Sequence, residues 1–149
     1  MNHKLKLIDS YAAYHIRETL DMLELMYPEV YIRYTTTASL DGSRAHSHKF
    51  RRTIAFDPIQ VHALSPFKIR WECAHQFAHH LFWKAEMAGY EWSVPYVEYP
   101  ELFMSEQGQY LAKHPEELFC ELFAGSLLLE EGYHLSKAIE PAYAVICND

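Results

Sequence analysis

The segment HPEELFCELFAGSLLLEE, residues 114–131, constrains the chain most. Pro115 is suited to the first position of a helix, and Gly132 stands just past its expected end near Glu130. Leu118, Phe119, Leu122, Phe123, Ala124, Leu127, Leu128 and Leu129 surround much of the helix circumference. A helix apolar on most sides belongs in an interior, so the remaining elements must wrap around it. Two acids, Glu117 and Glu121, are set four residues apart in the same helix. A buried carboxylate is costly unless it is paired or bound to a metal.

The rest of the chain supplies plausible wrapping. Asp9-Ser10 offers a cap for a first helix, whose stripe is Ala13, Ile16, Leu20, Leu23 and Tyr27, and Pro28 closes it. Residues 30–37 (VYIRYTTT) read as a strand, Asp41-Gly42-Ser43 as a turn, and residues 52–56 (RTIAF) as a second strand ended by Asp57-Pro58. Ser65-Pro66 then opens a helix running to about Ala85. Residues 86–114, rich in aromatics, read as a long loop-rich insertion. A last helix is expected over residues 135–146, broken near Pro141. The expected class is α+β. With 149 residues, half of them apolar, the chain suffices for one domain spanning 1–149.

Charge and cysteine usage narrow the function. The formal charge is −7, which disfavours direct contact with a phosphate backbone. A short basic run, Lys49, Arg51 and Arg52, reads as a solvated loop and strand start. No apolar run approaches the roughly 20 residues of a membrane span, and the N-terminus lacks the apolar stretch of a secretory signal. Three cysteines without CxxC spacing do not form a disulfide framework, so a reducing, cytoplasmic setting is expected.

Residues 71–82, WECAHQFAHHLF, place His75 and His79 four apart on one helix face, a spacing that lets two imidazoles reach one metal ion. The spacing alone is weak in a chain with ten histidines, and two hydrogen-bonded core histidines would fit it too. Ala74, Phe77, Ala78 and Leu81 make the neighbouring stripe apolar, so this helix also belongs to the core, and His80 reads as structural. Two imidazoles and one carboxylate from the other helix, Glu117 or Glu121, would leave a fourth position open, as in catalytic zinc sites. The remaining acid would orient a ligand histidine from behind. Glu116 and Glu117 also sit in a first helical turn, where acids are favoured by the dipole regardless. Tyr133 and His134 read as a surface pair at a helix end.

These motifs resemble the ImmA/IrrE family of zinc metallopeptidase-like proteins, in which a strand leads to a helix of the form HELGHHL and a later helix resembles ExEAxxFAxxLLMP. Here the corresponding stretches are RTIAFDP, AHQFAHHLF and EELFCELFAGSLLL, within residues 50–130. The resemblance implies a zincin-like domain, with a small sheet packed on an active-site helix and a second ligand-bearing helix. It implies Zn2+ held by His75, His79 and Glu117, with Glu121 behind the ligands. It implies a protein or peptide substrate such as a helix-turn-helix repressor; the aromatic insertion, residues 86–114, would either wall the cleft or pack under its own side chains. The chain departs from the pattern at Phe77-Ala78, at Phe119-Cys120 and, above all, at Gln76, where the family carries its general-base Glu. An amide cannot accept a proton at neutral pH, and losing a general base costs about 10²–10⁴ in rate. Gln76 is therefore expected to mark either an inactivating Glu→Gln replacement, which its near-isosteric shape favours, or a zinc-binding regulatory module that never hydrolyses.

Overall fold

The computed structural model describes residues 8, 10–37, 42–94 and 100–129. The expected helix over residues 135–146, the Asp9 cap, Asp41, Glu130, Gly132, Tyr133 and His134 lie outside them. Helix α1, Ser10–Met26, buries Ala13, Ile16, Leu20 and Leu23 on one face. Strand β1, Arg33–Thr36, is shorter than the sequence suggests. Strands β2, Ala45–His48, and β3, Thr53–Phe56, follow.

The sheet has the order β1-β3-β2. Strand β3 runs parallel to β1, with Arg33 opposite Thr53, and antiparallel to β2, with His46 opposite Ala55. The central position of β3 explains its unbroken burial at Ile54, Ala55 and Phe56. Strand β2 lies at the edge. Asp57 N–H donates to the Arg44 carbonyl, so alternation turns the backbone groups of His46 and His48 toward β3. Those of Ala45 and Ser47 face the open side.

Helix α2, Pro58–His62, is a short helix absent from the sequence reading, capped by the Asp57 carboxylate on the amides of Ile59 and Gln60. Helix α3, Pro66–Met87, begins as expected: Ser65 Oγ accepts from the Lys68 amide and Pro66 occupies the first turn. Between α3 and the last described helix, the region read as a loop contains a 3-10 turn, Pro100–Phe103, and helix α4, Glu106–Ala112. Ser105 caps α4 on the Gly108 amide.

Helix α5, Pro115–Leu128, takes the central place its composition demands. It packs most extensively against α3, which also carries α1. Phe77 of α3 stacks on Phe123 of α5 with centroids 6.3 Å apart, and Tyr27 closes on both at 6.0 and 5.8 Å. Trp92, from the aromatic insertion, is itself buried and meets Phe119 edge-on. Part of that insertion therefore packs onto the core. The described residues form a mixed α+β arrangement with a three-stranded sheet.

Candidate metal centre

The α3–α5 interface sets two rows of polar side chains against each other. Along α3, Trp71, His75, His79 and Trp83 recur every four residues and so share one stripe. Along α5, Glu117 and Glu121 do the same, with Glu116 beside them. Glu117 lies between the two imidazoles: one carboxylate oxygen is 3.1 Å from His75 Nε2, the other 3.4 Å from His79 Nε2. Two ligand atoms bound at about 2.0–2.2 Å to one tetrahedral ion stand roughly 3.3–3.6 Å apart. The two observed contacts, at 3.1 and 3.4 Å, are near that spacing pair by pair, but they use different oxygens of the carboxylate.

The outer ring nitrogens are also held. His79 Nδ1 is 3.0 Å from Glu116 Oε2, and the Trp83 indole N–H donates to the other Glu116 oxygen. His75 Nδ1 is 3.5 Å from Glu121 Oε1, while Trp71 Nε1 donates to Glu121 Oε2 at 2.8 Å. Each histidine thus has Nε2 toward the shared carboxylate and Nδ1 toward a carboxylate anchored by a tryptophan. This carboxylate–histidine pairing fixes ring orientation at metal sites.

Two groups have all their ligand atoms within 4.8 Å of one another: His79, Glu116 and Glu117, and, separately, His75, His79 and Cys120. The expected trio of His75, His79 and Glu117 is joined through Glu117 and does not form one such group. The donor chemistry, imidazole with carboxylate and a thiol close by, suits a borderline metal ion. These buried and half-buried groups could hold a metal ion.

Electrostatics follow the geometry. Burial disfavours charge on His75, but the Glu117 and Glu121 carboxylates outweigh it and push the imidazole up to about 9. The hydrogen bond from His75 holds Glu117 below the usual carboxylate range. Burial pushes Glu121 up, but His75 and Trp71 together bring it below its ordinary value. Burial raises the Cys120 thiol well above its ordinary range, which keeps it protonated in the absence of a metal. His80 faces away from this cluster and is pushed down to about 4 by burial, with His79 adding to the shift.

Gln76 is buried at 6% exposure and every part of its amide is used. Its Oε1 accepts from Ser47 Oγ at 2.8 Å, and its Nε2 donates to Glu72 Oε1 at 3.0 Å and to the Ala45 carbonyl at 3.4 Å. The side chain ties α3 to the edge strand. A carboxylate here would face two acceptors, one of them charged. The structure therefore accommodates Gln76 as an amide rather than as a neutralised acid.

A cleft of about 300 Å³ opens beside the imidazoles, lined by Ala45, Ser47, Gln76, Trp83, Glu116 and Glu117 among others. A larger hollow of about 830 Å³ adjoins it, sharing Glu116 and Glu117 and walled by Phe82, Tyr90 and Trp92. Six participants escaped the sequence reading: Glu116, Trp71, Trp83, Ser47, Glu72 and Cys120. For the tryptophans the signal was present, since the four-residue step joining His75 to His79 continues to Trp71 and Trp83. Glu116 was masked because an acid in a first turn needs no further reason. No family model matches this chain, and neither a curated protein nor a solved structure does, so the likeness to the ImmA/IrrE family rests on the motifs of residues 50–130 alone.

Proposed function

We propose that this chain is a zinc-binding protein on a metallopeptidase-like scaffold, with His75, His79 and Glu117 as the ligands and Glu121 and Glu116 behind them. The observation that supports this most is the Glu117 carboxylate, set 3.1 and 3.4 Å from the Nε2 atoms of two histidines on a facing helix. Zinc would supply Lewis-acid polarisation of a carbonyl. The protein's own part is to hold an extended segment beside it. The Ala45 N–H and the backbone groups of Ser47 face the open side beside the cleft, and an edge strand can pair with an added strand. On this reading the occupant is a protein or peptide, as the ImmA/IrrE resemblance implies, with a helix-turn-helix repressor as one such substrate. Hydrolysis requires a base that Gln76 is not.

The hydrogen bonding of Gln76 favours a second reading within the same scaffold. An amide satisfied on all sides is what a non-catalytic binding module would retain. Elemental analysis of untagged protein tests the shared premise: about one zinc per chain, lost in His75→Ala, supports it, and no metal in the wild-type chain overturns it. Proteolysis by Gln76→Glu, alone and with Glu72→Gln, then separates the peptidase scaffold from the binding module.

A further inference from the structure

The end of the sheet where β2 turns into β3 gathers cations in a chain of formal charge −7. Residues 49–52, Lys-Phe-Arg-Arg, form the turn, and all four are exposed. Arg33, at the start of β1, pairs with Thr53, and its N–H donates to the Arg52 carbonyl, so it lies beside the turn. Lys84 of α3 lines a hollow of about 110 Å³ together with Lys49 and Arg52. Its Nζ donates to the Glu29 carbonyl, which orients that ammonium. Five of the chain's 13 Lys and Arg residues thus meet at one place. Among the described residues none of the five is in an ion pair, and the hollow is lined by one acid, Glu29.

Apolar side chains stand exposed among these cations. Phe50, in the turn itself, is 95% exposed, and Tyr31 and Met87, which line the same hollow as Lys49, are 55% and 78% exposed. The turn is strained: Arg52 has φ +52°, a left-handed backbone that tight hairpins usually give to Gly or Asn. The strained position nevertheless carries a cation.

Cations around projecting aromatic and aliphatic side chains match the boundary of an anionic bilayer, where the charges meet lipid head groups and the apolar side chains enter the interface. We infer that this end of the sheet docks on a membrane surface carrying anionic lipid, with Phe50 inserted among the head groups. A single-stranded nucleic acid calls for a basic groove that follows its backbone, whereas Phe50 projects from a turn. An acidic protein would need a pocket shaped to Phe50, whereas a bilayer moulds itself around it. The overall negative charge does not forbid the contact. Screening extends only about 8 Å at physiological ionic strength, so acids beyond the patch are largely hidden from the surface it touches. The inference is independent of the zinc reading, none of whose proposed ligands takes part. The basic run that the sequence presents as a solvated loop becomes the contact.

The experiment is co-sedimentation of the full chain, with a chelator present, with vesicles of phosphatidylcholine alone and of an equal mixture of phosphatidylcholine and phosphatidylserine. Binding to the anionic vesicles, weakened by salt and absent with the neutral ones, is expected. Each cation near such a surface contributes about 5-fold in affinity, so Lys49→Gln with Arg51→Gln should bind about 25-fold more weakly. Phe50→Ser keeps every cation and should bind about 5-fold more weakly. All three positions are exposed, so melting temperatures should match wild type and lost binding does not reflect unfolding. Lys68→Gln, which removes an exposed cation at the opposite end of α3 from Lys84, should bind as wild type does. No binding to the anionic vesicles, equal binding to the neutral ones, or binding unchanged in both the double variant and Phe50→Ser overturns the inference. A single-stranded oligonucleotide is tested in parallel: its retention, lost in the same variants and without vesicle binding, would overturn the bilayer in favour of a polynucleotide.

Discussion

Trp83 illustrates how a residue far from any ligand role can govern one. Its indole N–H holds Glu116, and Glu116 holds His79 Nδ1. Trp83→Phe keeps a ring in place and removes only the donor. Zinc affinity should then fall roughly 10–100-fold, the usual cost of losing a group behind a metal ligand. Competition against a chromophoric chelator measures this, and an unchanged far-UV spectrum shows that the fold survives. His75 gives a second expectation. Its carboxylate neighbours outweigh burial and raise it to about 9, whereas an unfolded histidine titrates near 6.5. Its contribution to the stability of chelator-treated protein is thus fully present below about pH 6.5 and lost as pH rises through about 9. A metal requires neutral imidazole, so zinc binding at pH 7 should release about one proton from His75. Calorimetry in buffers of different ionisation enthalpy would detect it; zero release would contradict this placement of charge. The proposed ligand residue types were legible in the sequence because their spacing is a property of one helix. It did not reveal which acid of α5 faces which histidine, since that depends on how the two helices are rotated.

Among the elements, Gln76 joins α3 to β2, and Glu72 decides what position 76 tolerates. Gln76→Glu sets a carboxylate against Glu72 and the Ala45 carbonyl, and should cost about 1–3 kcal/mol. Adding Glu72→Gln should recover most of that loss, since one amide and one acid are restored. Thermal melts of the two variants read the difference; equal destabilisation would show that the contact with Glu72 does not matter. Strand β2 was invisible in the sequence for a physical reason. Its residues, Ala-His-Ser-His, have little β preference, and it exists because β3 and α3 offer it partners. Helix α4 was hidden because it is only seven residues long and carries Gly108 and Tyr110 within it. Helices α1, α3 and α5 were legible because long apolar stripes carry their own period.

At the scale of the whole molecule, the aromatic core is built from side chains other than the proposed ligands. Phe77, Phe119 and Phe123 are each at most 1% exposed, and Tyr27, Phe82 and Trp92 close around them. Phe123→Ala should therefore cost about 3–5 kcal/mol, measurable by denaturant unfolding with zinc absent. Zinc should add stability only by mass action, about 2.7 kcal/mol at a free concentration 100 times its dissociation constant. Chelator should accordingly lower the melting temperature without abolishing the transition. The α+β class was readable from the order of elements, whereas the parallel pairing of β1 with β3 was not, because it depends on a strand the sequence does not announce.

The carboxylate of Glu117 already spans both imidazoles, and this bears on the speed of metal uptake. An incoming ion must displace a proton and part a hydrogen-bonded pair before it can bind. Loading should therefore be slower than encounter with an open surface site, and it should accelerate as pH climbs toward 9, the value to which His75 is pushed. A bound ion would leave by the reverse route, with acid hastening its departure. The same contacts that keep the histidines ordered would act as a proton-operated gate on the metal.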